Sequence, residues 1–194
     1  MVLKDLVDIS IGSVLARIPK GKSDVVSVEP ITIQDVNHHY FIGEKLEQRF
    51  PVDIPKEQLE KAIIAREGDL VVTLSNPKAL VIGKEFDGYL VPSNMIRMRI
   101  KDSTRLDPHY LAWFISFSED FAKIIYLNLQ GTTIVKTVPV EVFREAEIPV
   151  ILIDKQRKIG KISDLYWKRE SLQKEIKKKW KDTLMALLNA EIKK

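Results

Sequence analysis

The chain has no cysteine among its 194 residues. That excludes a disulfide scaffold, a thiolate zinc site, an iron–sulfur cluster and a cysteine nucleophile. Glycine is scarce, at 8 residues, and neither a dinucleotide loop nor a phosphate-binding loop is present. Of the histidines, His38 and His39 are adjacent and His109 is remote. Neighbours in a strand point to opposite faces, so no metal site is expected. No apolar run approaches the ~20 residues of a membrane span, and no signal-peptide core opens the chain. Nor is one charge sign in strong excess: 31 Lys and Arg face 27 Asp and Glu, a net +4 with a pI near 9.1. This permits a nucleic-acid partner without demanding one. What is present suffices for a core, with 45% apolar and 30% charged residues. The chain reads as soluble and cytoplasmic.

Two regions follow different patterns. Residues 1–153 predict a mixed-sheet domain of short strands and turns. Val25 to Val28 and Ile31 to Val36 alternate as half-buried strands do. Gly68-Asp69 leads into Leu70 to Leu74, a β-rich run closed by Ser75-Asn76-Pro77. Leu80 to Ile82, Tyr89 to Val91, Ile96 to Ile100 and Pro149 to Ile153 read as further strands. Glu57 to Ile64 reads as a short helix or turn. Asp107-Pro108 is a helix start, an N-cap followed by Pro at the first helical position. Residues 154–194 contain no Pro and many helix formers. Ile162, Leu165, Leu172, Ile176, Trp180, Leu184 and Leu187 recur at spacings that make one stripe on a long helix. Continuous over its 41 residues, that helix would span ~60 Å. Its first turns fit back onto the domain. Beyond Leu172 the stripe needs a partner helix.

No catalytic constellation stands out. Ser75-Asn76-Pro77 follows a strand, as does the Asn-Pro-Pro-aromatic motif of DNA adenine methyltransferases. Lys78 and Ala79 stand where the second Pro and the base-stacking aromatic belong. Glu175 and Lys177 form a Glu-x-Lys, but on the long helix and with no upstream Asp on a strand. The chain is therefore expected not to be an enzyme by itself, and to carry no cofactor.

Six short motifs follow one another along the chain, Leu6-Val7-Asp8-Ile9 with Ile11-Gly12, Gly68 to Thr73, Asp107 to Leu111, Gln130 to Ile134, Glu147-Ile148-Pro149 and Gln156 to Ile159. Their order resembles that of specificity subunits of type I restriction–modification systems. Leu6-Val7-Asp8-Ile9 with Ile11-Gly12 resembles the family's opening stretch. Gly68-Asp69-Leu70-Val71-Val72-Thr73 is similar to its mid-domain run. Asp107-Pro108-His109-Tyr110-Leu111 resembles a Pro-x-Tyr-Leu helix start, and Gln130-Gly131-Thr132-Thr133-Ile134 its Gly-Thr-Thr-Ile segment. Glu147-Ile148-Pro149 and Gln156-Arg157-Lys158-Ile159 resemble the lead into the spacer helix. Two departures stand out: Ile151-Leu152-Ile153 replaces the family's Pro-x-Pro, and Lys155 replaces the Glu before its Gln. The pattern occurs once, where the family usually carries it twice.

The resemblance implies an α+β fold: a target-recognition domain over 1–153, then one long spacer helix over 154–194 in an antiparallel coiled coil. It implies a non-catalytic half-subunit that pairs with a copy of itself to read a bipartite palindrome in double-stranded DNA. The partners implied are a modification (methyltransferase) subunit, which would hold S-adenosylmethionine, and a restriction subunit. Groove contacts need Arg, Lys, Asn, Gln, Ser or Thr on loops. Candidates are Arg17, Lys20, Lys22, Gln34, Asn37, His38, His39, Ser75, Asn76, Lys78, Ser93, Asn94, Thr132, Thr133 and Lys136. Arg97 and Arg99 share one face of a strand, facing either solvent or DNA. The rival reading is a coiled-coil interaction protein that reads no DNA, or a decoy on the modification subunit. Charge divides unevenly: 154–194 hold 13 basic and 6 acidic residues, a net +7, leaving −3 on 1–153. Any DNA contact by the domain must therefore rest on a local patch.

Overall fold

The computed structural model describes residues 1–14, 24–40, 49–129 and 137–192, the side chains of 38–40 and 129 excepted. The architecture is α+β, as expected. Its centre is a four-stranded antiparallel sheet in the order β1-β6-β4-β5: β1 (Val7–Ile11), β4 (Leu70–Thr73), β5 (Ala79–Val81) and β6 (Met95–Ile100). A separate two-stranded sheet pairs β2 (Val25–Val28) with β3 (Val52–Pro55), also antiparallel. Parallel pairing is confined, among the described residues, to the isolated bridges Ser13–Pro92 and Pro30–Leu90.

Both faces of the sheet are covered, which is why β4 is apolar at every position but Thr73. One face carries Leu70, Val72, Ile96 and Met98. It packs on α1 (Leu3–Leu6), α4 (Pro108–Phe117), α5 (Glu119–Leu129) and α6 (Val140–Glu145). The other face presents Val71 and Met95 to Ile31, Val36, Ala65 and Val91.

Three predicted strands take other forms. Ile31 to Val36 runs into a helix, α2 (Ile33–Tyr40). Thr32 and Asp35 cap it reciprocally: the Thr32 N–H donates to Asp35 Oδ2 at 2.7 Å, and the Asp35 N–H to Thr32 Oγ1 at 3.2 Å. A capping box outranks a short alternation that either period can fit. Tyr89 to Val91 makes only isolated bridges at Leu90, to Pro30 and Ile64. Pro149 to Leu152 is a connector, because other groups take its carbonyls. The Tyr110 hydroxyl donates to Pro149 O at 2.7 Å and Gln156 Nε2 to Ile151 O at 2.7 Å. The short helix or turn read over Glu57 to Ile64 is α3 (Lys56–Leu59), which begins one residue earlier, followed by a turn.

The last helix, α7 (Ile153–Ile192), has 40 residues, about 60 Å at 1.5 Å each. Its N-terminal half is clasped to α4. Gln156 is fully buried: Oε1 accepts from the Asp107 N–H at 3.0 Å, and Nε2 also donates to Arg105 O at 2.8 Å. Asp107 caps α4 by accepting from the Tyr110 N–H at 3.0 Å. A Cβ on Gly160 would lie 2.6 Å from His109 Cβ, so only glycine lets the helices approach this closely. Phe117 stacks on Trp167 with ring centroids 4.5 Å apart. After Ser171 the helix leaves the domain. Ile162, Leu165, Leu172, Ile176, Trp180, Leu184 and Leu187 are 49–73% exposed.

Candidate nucleic-acid interface

The β4–β5 hairpin projects from one end of the sheet. Its turn is held from inside: Thr73 Oγ1 donates to Asn76 O and accepts from the Lys78 N–H, both at 3.0 Å. Asn76 has φ 57°, a left-handed conformation that asparagine tolerates better than most residues. Ser75 and Asn76 are exposed at the tip.

Leu74 joins this turn to two other segments. Its N–H donates to Asn94 O at 3.0 Å, and its carbonyl accepts from the Val138 N–H at 2.9 Å. Ser93 and Asn94 are exposed in the turn before β6, closed by the Met95 N–H donating to Pro92 O at 3.0 Å. The end of β1 arrives beside them, with the Gly12 N–H on Met95 O at 3.0 Å and the Ser13 N–H on Val91 O at 2.7 Å. A Cβ on Gly12 would sit 2.1 Å from Pro92 O, which accounts for the Ile11-Gly12 pair in the opening stretch.

One end of the sheet therefore gathers four segments: 12–14, 74–78, 92–94 and 137–138. Ser75, Asn76, Ser93 and Asn94 are brought together there. Arg17, Lys20 and Lys22, with Thr132, Thr133 and Lys136, lie outside the described residues.

Lys78 is turned inward. Its ammonium donates to Ser116 O at 2.5 Å and sits 4.2 Å from the Phe117 ring centroid; burial pushes its pKa down. It ties the hairpin to α4, and through the Phe117–Trp167 stack to α7. Gln34 and Asn37 stand apart from the gathered loops, on α2, which packs on α7 and on β4 and β5. Its Asp35 lines a cavity of about 630 Å³ with Gly68, Gly83 and His109, at the opposite end of β4 and β5. His38 and His39 share that helix; their side chains lie outside the described residues.

Sequence reasoning missed how the Gly-Asp motif works. Gly68 has φ 86°, the left-handed turn that glycine favours. Asp69, 2% exposed, accepts from the Arg66 N–H at 2.9 Å and takes Arg99 bidentately at 2.7 and 2.8 Å. The motif builds the sheet rather than a reactive centre. Among the described residues no cluster of His, Asp and Glu could hold a metal, and no helix is long and apolar enough to cross a membrane.

No family model matches the chain, and no curated protein matches it. Solved structures do. A chain from a study of complex assembly and conformational transition of the type I R-M system superposes with a TM-score of 0.62 at 14% identity, covering 96% of this chain and 42% of that one. The type I restriction–modification S subunit from M. genitalium gives 0.54 at 16%, covering 94% and 43%. The HsdS subunit from Thermoanaerobacter tengcongensis gives 0.50 at 14%, covering 89% and 38%. The fold is that of these specificity subunits, and the chain spans about two fifths of their length.

Proposed function

We propose that this chain, which has the fold of type I specificity subunits, is a DNA-recognition element that directs a partner methyltransferase to its site. The gathering of exposed Ser75, Asn76, Ser93 and Asn94 at one end of a rigid sheet carries the reading. Asparagine can bond adenine N6 and N7 together, and serine can donate or accept at either base. Arg17, Lys20, Lys22, Thr132, Thr133 and Lys136 belong to the same proposed interface, the basic ones on phosphates. Chemistry resides in the modification subunit, with its S-adenosylmethionine.

The exposed stripe of α7 supports pairing with a second copy. An apolar stripe of this length on a free helix is a recognition surface. Antiparallel pairing would set two recognition ends in inverted orientation, so that protein symmetry is mirrored in the DNA. The helix length then fixes the gap between the half-sites.

Coexpression with the cognate modification subunit, followed by mapping of methylated adenines, tests the reading. The expected result is a new modified bipartite palindrome only when this chain is present. An unchanged methylome despite stable association with the modification subunit would instead establish the decoy, a role the domain's net −3 accommodates.

A further inference from the structure

On the sheet face that carries Val71 and Met95, β6 continues past the gathered loops into a groove of about 640 Å³. Lys56, Arg66, Arg97 and Arg99 line it together with Ile64, and Glu60 is the one carboxylate among its described lining residues. We propose that this groove seats the phosphodiester backbone of the duplex whose bases meet the loop end. The inference rests on the DNA-reading proposal and adds a second, sequence-independent contact surface to it.

Arg97 carries the argument. Nη1 donates to Ile64 O at 3.0 Å and Nη2 to Ser10 Oγ at 3.1 Å, while Nε is buried without a partner. Among the described residues no carboxylate pairs with it. Burial first and the neighbouring Arg99 charge second push its pKa down, against the smaller opposing charges of Asp69 and Asp8. Arg97 and Arg99 leave one strand face two residues apart, about 7 Å along the backbone, and an anion near both relieves their repulsion. Arg99 spends Nε and Nη2 on Asp69, which leaves its Nη1 donors for another acceptor.

The other two cations of the groove are primed in a different way. Lys56 pairs with Asp24 and Arg66 with Asp87, in ion pairs whose side chains are 45–71% exposed. Such pairs contribute little and exchange readily for a phosphate. Position adds the last step. Arg97 stands three residues beyond Asn94, the last residue of the turn that opens β6, about 10 Å along the chain. A backbone that leaves the recognition loops along β6 passes over both arginines.

The test uses the full chain with Lys56→Gln and Arg66→Gln combined, exposed changes that leave the buried Asp69–Arg99 pair intact. Binding to duplexes of matched and unrelated sequence is followed by fluorescence anisotropy across a salt series. The slope of log K against log salt should fall by roughly 2, since each lost phosphate contact removes ~0.9. Affinity should drop equally for both duplexes. An unchanged slope overturns the groove while the DNA-reading proposal stands. If the unchanged slope comes with lost association to the modification subunit, the groove belongs to an acidic protein surface instead. A wild-type chain that binds no duplex, alone or with its modification subunit, removes both readings together.

Discussion

The two halves of α7 meet opposite environments, although the apolar stripe from Ile162 to Leu187 is exposed in both. From Gln156 to Ser171 the helix finds partners on α4: a buried amide, a glycine contact and an aromatic stack. From Leu172 onward the large apolar side chains are 49–83% exposed among the described residues. Periodicity alone reports that a face must be covered. What covers it depends on reach, and a domain built on a four-stranded sheet cannot follow a 40-residue helix to its end. The proximal half should therefore hold the fold and the distal half association. Substitutions in each half can separate those roles.

The largest effect is expected at Gln156. Replacing it with alanine strands the Asp107 N–H and the Arg105 and Ile151 carbonyls in a buried site. Leaving such groups without partners costs about 3 kcal/mol, read as a fall in the denaturant midpoint. Gly160→Val belongs beside it, since the added carbon meets His109 and the Tyr110 backbone. Overpacking there costs about 2 kcal/mol. Normal stability in both variants would mean that the domain holds without the proximal helix.

Trp180 and Leu184 test the other half. Both are more than half exposed, so the paired change Trp180→Ala with Leu184→Ala should shift the unfolding of an isolated chain by no more than about 0.5 kcal/mol. Self-association should weaken by about 2 kcal/mol or more, as for a buried aromatic anchor. Sedimentation velocity reads this directly. Equal association of variant and wild type would remove the distal stripe as the pairing surface.

That contrast also marks what could be read from residues alone. Asp107-Pro108 identified the start of α4, and the stripe identified α7, because capping and period 3.6 are local signals. The Gly-Asp motif placed β4 correctly, yet its purpose is a long-range pair to Arg99, thirty residues on, which no spacing rule encodes. Gln156 looked like one polar residue in a polar helix; its burial follows only from the meeting of α4 and α7. The strand predicted over Ile31 to Val36 failed because Thr32 and Asp35 cap a helix there. Of the candidate site, Ser75, Asn76, Ser93 and Asn94 were legible as turn residues. Their convergence was not, because it depends on the pairing of β4 with β6 and on Leu74 bonding to Asn94 and Val138. Lys78 was legible as a loop cation, but burial beside Phe117 gives it another role.

The smallest expected effect lies at the α4–α7 junction. His109 Nδ1 stands 2.6 Å from Asp164 Oδ2. The hydrogen bond to Asp164 holds the imidazole pKa above its ordinary value; burial opposes it, and the charges of Asp164 and Asp107 add to the rise. A folded-state pKa above the unfolded value near 6.5 stabilises the fold fully below that pH. The contribution is lost as pH rises through the folded value. Both side chains are 38–45% exposed, so solvent screens the pair and the shift in midpoint should be modest. Raising the pH from 6 to 8 should therefore loosen the proximal clasp slightly while leaving the distal stripe unchanged. Unfolding curves of wild type and Asp164→Asn across that range decide it. The wild type should lose stability relative to the variant as pH rises, and parallel pH profiles would exclude the pair as a contributor to the clasp.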